Sequence, residues 1–456
     1  MSENRELFES LSVPRALATL AIPTIISQLI TMIYNLADTY FIGMTGDPYK
    51  VAAASLAFVL FFMVNALSNL FGIGGGSLIS RMLGRNDDSS ARNVCAFSFY
   101  GTIVVSLIYS TCCLVFMEPL LRLLGASDNT LGYASSYTLW VIVVGGVPST
   151  LSVTMAHLLR SEGYARQASV GLGMGGVLNM LLDPLFMFVI MPAGQEVTGA
   201  AIATMISNVC ALIYFAVIFY RLRAHTVLSV SPRLALRGAR YTGAVFAVGF
   251  PSALGSFLSC LSNITVNNLA SGYGDIPVAA MGIVKKIDML PMNVGMGLCQ
   301  GMMPLVAYNY AARNIKRMRS VISCARICGM GFAALCIVAF ELFADGLVRL
   351  FINEAETLAL GTNFLRICCL ATPFMISNFQ MSYTFQAMGQ GPQSLLLSSC
   401  RQGIINIPLL FIMNAIFGLY GVIWTQLLAD GITLVISFVM YRKLIRRIQR
   451  QLNVAA

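Results

Sequence analysis

Long apolar runs separated by short polar loops occupy almost the whole chain. We count twelve such runs, and each is longer than the roughly 20 residues that a helix needs to cross a bilayer. They do not alternate between apolar and polar positions, as the strands of a membrane β-barrel do. The pattern therefore predicts an all-α integral membrane protein with twelve transmembrane helices, at about 16–43, 51–78, 93–117, 132–158, 168–191, 198–221, 241–270, 277–308, 320–344, 357–388, 394–417 and 419–441.

The pattern of polar and special residues repeats once along the chain. Four pairs of positions are separated by the same 228 residues: Pro23 and Pro251, Asn35 and Asn263, Gly46 and Gly274, and Arg85 and Arg313. The repeat predicts two six-helix lobes, residues 1–220 and 241–456, joined by a basic linker at 221–240. Because six is an even number, both lobes enter the membrane from the same side. That arrangement predicts a pseudo-two-fold axis along the membrane normal and a cavity between the lobes, as in transporters.

Composition and charge agree with a membrane protein. Hydrophobic residues make up 57% of the chain and charged residues only 11%, whereas about a quarter of a soluble domain is charged. The net charge of +10 does not indicate nucleic-acid binding, because the basic residues fall in every second loop. This positive-inside pattern predicts that both termini lie in the cytoplasm, as in a multi-pass protein of the inner membrane. The residues assigned to basic loops include Arg81, Arg85, Arg92, Arg160, Arg166, Arg313, Lys316, Arg317 and Arg401.

Cofactor and metal chemistry find little support in the sequence. The twelve cysteines lie almost entirely in apolar runs and form no Cys-x-x-Cys pair, and His157 and His225 are too far apart for a metal centre. Buried cysteines of this kind act as small hydrophobic residues. No Walker motif is present, so ATP is not expected to drive the protein directly. The first fifteen residues are polar and do not resemble a cleavable signal peptide.

Two carboxylates lie inside the apolar runs of the first half. Asp38 is near the end of the first run, and Asp183 follows Asn179 by four residues in the fifth. A structural role as a hydrogen-bonding group is the alternative. Such bonds between membrane helices contribute only about 0.6 kcal/mol on average. Burying a charge costs more, and intramembrane acids commonly mark ion pathways. The pattern therefore predicts a proton or cation site.

Other residues within the runs suggest structural roles. Lys285 and Asp288 are three residues apart and can share one helix face, which predicts a structural ion pair. Pro23 removes a hydrogen bond inside the first helix and predicts a bend there. Asp430 aligns with the neutral Asn208 of the first half, which favours a structural role for this acid.

Several segments resemble the multidrug and toxic compound extrusion (MATE) family over essentially the whole chain. They are IPTIISQLITMIYNLADTYFIG, GIGGGSLISRMLGRND, NMLLDPLFMF, GLCQGMMPLVAYNYAARN and RQGIINIPLLFI. The Lys285-Lys286-Ile-Asp288 segment and the RQGI at 401–404 are similar to the bacterial Mep-type branch. The resemblance implies a V-shaped, two-lobed exporter that expels lipophilic cations in exchange for protons or sodium.

The resemblance also implies roles for individual residues. The cation-coupling residues are Asp38, Asn179, Asp183 and Thr204, and Pro23 is the hinge. The seventh and tenth helices lack the acids that some relatives carry there, so coupling through the second lobe is not expected. Flexible methionines suit promiscuous binding. The candidates for the walls of the substrate cavity are Asn35, Met155, Asn263, Met292 and Gln300.

The predicted function is a secondary antiporter that exports lipophilic organic cations, including antibiotics, as a monomer in the lipid bilayer and without a cofactor. The coupling ion is a proton or sodium. The first alternative is a flippase for lipid-linked oligosaccharides, which would need arginines in the cavity for its polyanionic substrate. The second alternative is a membrane-embedded enzyme, which would need a nucleophile and base in one cluster. The sequence places its arginines in loops and shows no such cluster.

Overall fold

A computed structural model describes residues 2–224 and 226–454, and His225 lies outside this part of the chain. Within the described residues the secondary structure is helical, without strands. The α-helices are α1 Ser2–Glu9, α2 Val13–Gly43, α3 Pro48–Gly84, α4 Asp88–Val115, α5 Met117–Leu123, α6 Asp128–Thr138, α7 Gly146–Ser161, α8 Ala165–Leu185, α9 Glu196–Leu222, α10 Pro232–Gly238, α11 Thr242–Ser271, α12 Asp275–Ala311, α13 Ile315–Arg349, α14 Ala355–Cys369, α15 Thr372–Ala387, α16 Gly391–Ser399 and α17 Asn406–Val454.

The predicted fold of twelve transmembrane helices is confirmed. Among the described residues, eight helical segments are long and apolar enough to span a membrane, and two bent pairs raise the number to ten. One of the eight, Gly391–Arg450, is divided at Gly418, whose φ of 59° is not helical. This is the position at which the sequence predicts the last loop. The twelfth span is α12, an apolar helix of 37 residues that also carries Lys285, Lys286 and Asp288.

Two predicted helices are each a bent pair. The segment predicted at 132–158 consists of Asp128–Val144 and Gly146–Ser161, which meet at 49° after a π-helical turn. The segment predicted at 357–388 consists of Ala355–Cys369 and Thr372–Ala387, which meet at 45°. The second bend has a local cause: Pro373 lies in the first turn of α15, where a proline needs no amide hydrogen bond and starts a new helix.

The apolar interior differs between the two ends of the molecule. The largest cluster of buried hydrophobic residues includes Leu20 and Ile79 from the first half of the chain and Val245 and Leu305 from the second. The other clusters each belong to one half: one lies within 41–201, and two lie within 266–423. The halves therefore share a core at one end and have separate cores at the other.

Glycines bring the two halves together near the basic loops. A Cβ atom on Gly249 would lie 1.8 Å from the carbonyl oxygen of Leu70, and one on Gly301 would lie 2.5 Å from Cα of Ala21. Only glycine permits backbones to approach so closely. Next to the acidic loops the space is open, with no further atom within 4 Å of such a Cβ on Gly43, Gly46 or Gly274. The close contacts of Gly249 and Gly301, together with the shared core, show that the lobes meet at the basic end.

The linker between the halves is held against the first lobe by Glu162. Its carboxylate accepts hydrogen bonds from the hydroxyl of Thr226 and, at 3.0 Å, from the backbone N–H of Val227. Burial raises the pKa of Glu162 above its ordinary value, and the two hydrogen bonds oppose that shift. The buried Val227 and the adjoining helix α10 follow the surface of the first lobe, so the linker is part of the packed structure.

The short helix α1, which the sequence shows only as a polar segment, joins the two lobes at the basic end. Phe8 is buried and stacks on Tyr308 of α12, with 4.8 Å between the ring centroids. Arg317 of α13 donates hydrogen bonds to the carbonyl oxygens of Phe8, at 2.7 Å, and Leu11, at 2.5 Å. On the other side, Gly163 of the first lobe lies against Phe8. Helix α1 therefore contacts both halves.

We expect Phe8→Ala to lower the melting temperature of the purified protein in detergent by several degrees. Truncating a buried aromatic ring costs about 3 kcal/mol or more, and this ring lies between the two halves. Scanning fluorimetry measures the change. Ser10→Ala is the control, because Ser10 is exposed at the end of the same helix. Equal melting temperatures for the two variants would show that the docking of α1 does not stabilise the protein.

Candidate functional site

Asn179, Asp183 and Thr204 form one buried, hydrogen-bonded cluster in the first lobe. Nδ2 of Asn179 donates to Oδ1 of Asp183 at 3.0 Å and to Oγ1 of Thr204 at 3.1 Å. Asp183 is fully buried, and Asn179 is only 2% exposed. The four-residue spacing in α8 puts the amide and the carboxylate on one helix face, and Thr204 reaches them from α9. The structure therefore brings together three of the four residues predicted for coupling.

Asp38, the fourth predicted residue, adjoins this cluster from α2. Its Oδ2 accepts a hydrogen bond from the hydroxyl of Tyr137 at 3.4 Å, and its charge interacts with that of Asp183. Tyr34, one helical turn before Asp38, interacts with both carboxylates. The sequence does not predict either tyrosine. The four-residue spacing from Asp38 could have indicated Tyr34, whereas Tyr137 comes from a helix distant in sequence and has no such signal.

Small residues on α8 allow α2 to bring Asp38 close to Asp183. A Cβ atom on Gly176 would lie 2.9 Å from the ring of Tyr34, and one on Gly173 would lie 3.1 Å from the side chain of Ile30. Membrane helices that approach closely commonly use glycine in this way. The glycine-rich sequence of α8 thus explains why the two carboxylates are neighbours.

The cluster contains polar atoms that the protein itself does not satisfy. Three buried oxygens have no hydrogen-bond partner within the described residues: Oδ1 of Asp38, Oδ1 of Asn179 and Oδ2 of Asp183. Buried polar atoms are normally paired, and two neighbouring buried carboxylates are too costly to leave fully charged. Proton uptake or a small cation with oxygen ligands would satisfy them. No group of three or more His, Cys, Asp or Glu side chains in this part of the chain fits a metal ion.

Pro23 lies in the interior of α2, which continues as one helix from Val13 to Gly43. It is fifteen residues from Asp38, or about 22 Å along a helix that rises about 1.5 Å per residue. Pro23 therefore lies toward the end where the lobes meet, and Asp38 lies toward the end where they separate. Its role as a hinge stays a prediction.

The five predicted cavity residues fall into two groups. Asn263 is exposed, and Asn35 and Met292 are partly exposed, as a cavity wall requires. Met155 is only 2% exposed, within the core shared by the halves, and Gln300 is 7% exposed. Placing these last two on an open wall is therefore wrong for this structure. Both lie toward the basic end, where the lobes are closed, and the sequence does not show how far that closure extends.

Gln300 instead belongs to a polar contact between the lobes. Arg160 of α7 donates hydrogen bonds to Oε1 of Gln300 at 3.2 Å and to Oγ of Ser27 at 3.4 Å. A small cavity lined in part by Arg160, His157 and Gln300 lies beside this contact. The sequence assigns Arg160 to a loop, but the structure buries it inside a helix with 4% exposure. An apolar run that ends in an arginine does not show where the loop begins.

The predicted ion pair between Lys285 and Asp288 is wrong. Nζ of Lys285 donates to Oδ1 of Asn267 on α11 at 3.0 Å, and no ion pair in the described residues joins it to Asp288. Asp288 instead interacts electrostatically with Arg401 and Asp430. A three-residue spacing allows a pair but does not require one, because the two side chains can turn towards different neighbouring helices.

Comparison with known proteins gives the same assignment for both halves of the chain. The MatE family model matches twice, over residues 23–185 and 251–412. The two matches therefore begin at Pro23 and Pro251, the first pair of the internal repeat.

Individual relatives extend this match over nearly the whole chain. The multidrug export protein MepA of Staphylococcus saprophyticus subsp. saprophyticus is 33% identical over 425 residues, which cover 93% of this chain and 92% of the relative. MepA of Staphylococcus aureus is 34% identical over 426 residues, with the same coverage. A crystal structure of MATE in complex with MaL6 has the same fold, with a TM-score of 0.92 at 23% identity over 99% of this chain and 100% of the other. The chain therefore belongs to the MatE family of multidrug and toxic compound extrusion transporters, in its Mep-type branch.

Proposed function

We propose that this protein is a secondary antiporter that exports lipophilic organic cations in exchange for protons or sodium. The observation that carries the proposal is the cluster of unpaired, buried oxygens on Asp38, Asn179 and Asp183. It supplies a place where a coupling cation binds in one stage of the cycle and leaves in another. Relatives named as multidrug export proteins support drugs as the cargo.

The two ends of the molecule support an alternating-access mechanism. The lobes, residues 1–220 and 241–456, share a core near the basic loops and are separate near the acidic loops. Under the positive-inside rule the basic end faces the cytoplasm, so this structure is open to the outside and both termini are cytoplasmic. Export then requires the lobes to rock until the basic end opens and the cavity takes up its cargo from inside.

The coupling cation and the drug compete by favouring different states of the first lobe. A proton or sodium ion that enters from outside binds at Asp38 and Asp183 and neutralises their charge. A bend of α2 at Pro23 then narrows the pocket of this lobe and releases the drug outward. Because the two ligands favour different states, each lowers the apparent affinity of the other by the same factor.

The charges in the membrane favour a cationic cargo over the polyanionic substrate of a flippase. Several arginines do lie inside membrane helices; among them, Arg326 of α13 donates to Gln380 at 3.5 Å and Arg366 of α14 pairs with Glu341 at 3.7 Å. Arg160 is enclosed between the lobes, however, and Arg401 is paired with Asp430 at 2.7 Å. Neither of these last two offers a free positive charge to a phosphate group. Membership of a transporter family also rules out the alternative of a membrane-embedded enzyme.

The setting that we propose for this activity is the bacterial cytoplasmic membrane, with the protein acting as a monomer. Each lobe contributes one wall of the cavity, through partly or fully exposed residues such as Asn35 from the first lobe and Asn263 and Met292 from the second. One chain therefore contains both halves of the transport path. The protein needs no cofactor, because the ion gradient supplies the energy.

We expect a lipophilic cationic dye to bind the purified protein more weakly as pH falls or as sodium rises. Proton or sodium binding neutralises the acids that attract the dye, and linkage makes the competition mutual. Equilibrium dye fluorescence across pH, in sodium and in potassium, measures the effect and shows which ion acts. Asp38→Asn should remove most of the dependence but retain part of the affinity, through aromatic and methionine side chains.

Asp345→Asn is the matched control for this experiment, because Asp345 is an exposed acid in a surface ion pair of the second lobe. It should keep the dependence of the unmodified protein. If Asp38→Asn and Asp345→Asn behave alike, the coupling site lies elsewhere.

A further inference from the structure

The second lobe contains a copy of the hydrogen bond that organises the first-lobe cluster. Nδ2 of Asn406 donates to Oε1 of Gln426 at 3.1 Å, just as Asn179 donates to Thr204 at 3.1 Å. These residues correspond in the internal repeat, since Gln426 is as far beyond Thr204 as Asp430 is beyond Asn208. A π-helical turn at Cys400–Ile404 precedes Asn406. Such a turn adds one residue to a helix and brings Asn406 into register with Asn179.

The acids of the two lobes do not occupy corresponding positions. In the repeat, Asp38 corresponds to Val266 and Asp183 to Leu410, so the second lobe lacks both coupling acids. It has Asp430 instead, one helical turn after Gln426 and fully buried. The second lobe therefore keeps a hydrogen bond, Asn406 to Gln426, that corresponds to the one in the first-lobe cluster. Its carboxylate, Asp430, lies at a different position in the repeat.

Asp430 is neutralised by a cation that belongs to the protein. Nε of Arg401 donates to Oδ1 of Asp430 at 2.7 Å, and Nε2 of Gln426 donates to Oδ2 at 2.9 Å. The guanidinium group also stacks over the ring of Phe379, with 4.4 Å to the centroid. Arg401 lies in the π-helical turn, and its side chain is only 11% exposed. Arg401 corresponds to Gly175 with the offset of Gly163 and Gly389 (389−163 = 226) and to Met174 with that of Asn179 and Asn406 (406−179 = 227), and neither carries a charge.

The surroundings of this pair still hold groups suited to a further cation. Asn378 is 3% exposed and donates to Asp430 at 3.3 Å, while its own Oδ1 has no partner within the described residues. Asp288 interacts with both Arg401 and Asp430, and no hydrogen bond or ion pair in this part of the chain engages its carboxylate. Cys368 is near both Asp288 and Lys285. The guanidinium group of Arg401 therefore contacts Asp430 directly and acts on Asp288 only through its charge.

We propose that Arg401 is a tethered cation that occupies the second lobe's counterpart of the cation site and so confines ion coupling to the first lobe. The inference rests on the proposed coupling role of Asp38 and Asp183. Removing one partner of a buried pair leaves an uncompensated charge. Without Arg401, the oxygens of Asp430, Asp288 and Asn378 must therefore recruit a proton or sodium ion from solution. Arg401 is in this sense a specificity-determining residue for coupling.

The test measures how sodium and pH shift the melting temperature of purified variants, since a ligand that binds the folded state stabilises it. Asp38→Asn should lose the shift that sodium or acid produces in the unmodified protein, with choline as the reference salt. Adding Arg401→Met should restore a shift of similar size, because methionine removes the positive charge and keeps a long, unbranched side chain. Adding Arg401→Lys, which keeps the positive charge, should restore nothing.

The two proposals fail in different ways. If Asp38→Asn loses the shift but adding Arg401→Met does not restore one, the role of Arg401 is wrong and the coupling site stands. If Asp38→Asn keeps the full shift, the proposed coupling site is wrong. Arg401→Met alone then decides the inference, by whether it enlarges the shift.

Poor folding of the Arg401→Met protein is also informative. Rescue by sodium or acid would support a vacated cation site. Rescue only by the further change Asp430→Asn, and not by sodium or acid at any concentration that the protein tolerates, would overturn the proposal. If the Arg401→Met/Asp430→Asn protein does not fold either, the pair is a structural element and the proposal is likewise wrong.

Discussion

We expect Asp38→Asn to abolish the drug resistance that the proposed antiport would confer on a pump-deficient bacterial host, while the variant still inserts into the membrane at the normal level. This is the largest effect that we expect from replacing one carboxylate oxygen by an amide nitrogen. The amide cannot take up and release a proton, and it provides no negative charge for sodium. The minimal inhibitory concentration of a quaternary ammonium compound should fall to that of the empty vector, with membrane expression checked by immunoblot.

Asp183→Asn and Asn179→Ala should impair the same step, because both residues share the cluster with Asp38. Asp128→Asn is the control, since Asp128 is an exposed acid in a surface ion pair at the acidic end. It should keep full resistance. Resistance at the unmodified level in well-expressed Asp38→Asn would remove this carboxylate from the mechanism.

Gly249→Val should also reduce resistance to the vector level, through a different cause. A Cβ atom at this position would lie 1.8 Å from the carbonyl oxygen of Leu70 and 2.6 Å from its carbonyl carbon. Both are backbone atoms and cannot turn away as a side chain can. The valine must therefore push α11 and α3 apart at the basic end, where the halves share their core. The protein should then favour states in which that end is open.

Spin-label distances between the lobes at the acidic end would detect the change, because opening at one end brings the lobes together at the other. Gly243→Val is a closely matched control. It lies in the same helix, and no further atom comes within 4 Å of a Cβ at this position. Full resistance in Gly249→Val, with unchanged distances, would show that close contact of the halves at this glycine is not required.

The sequence predicts most of the fold because the signals involved are local. A membrane span needs only length and apolar composition, and Gly418 marks the last loop because glycine readily adopts a positive φ. The repeat appears in the sequence because the two halves reuse the same residues, both inside helices, as at Pro23 and Pro251, and in turns, as at Gly46 and Gly274. The bends that divide the predicted helices at 132–158 and 357–388 are harder to see, since an apolar run continues unchanged through a bend.

The polar interior is only partly predictable, because it depends on which helices become neighbours. Asp38 and Asp183 are evident as acids in apolar runs. Tyr137 becomes part of the site only because its helix, α6, packs against α9, the helix that carries Thr204. Arg160 and Arg401 look like residues of basic loops until the structure shows their partners. The pairing of Lys285 is decided by Asn267 on a neighbouring helix, which the spacing to Asp288 does not reveal.

The docking of α1 has a consequence for the speed of transport. Phe8 lies between Tyr308 of the second lobe and Gly163 of the first, and Arg317 holds the carbonyl end of this helix. In the alternating-access mechanism that we propose, these contacts cannot all persist when the basic end opens, so they would break and re-form once in every cycle. The same contacts that stabilise the resting state therefore raise the barrier to leaving it. We therefore expect the segment from Leu7 to Leu11 to slow turnover, and a variant in which its contacts are removed to transport faster but to have a lower melting temperature.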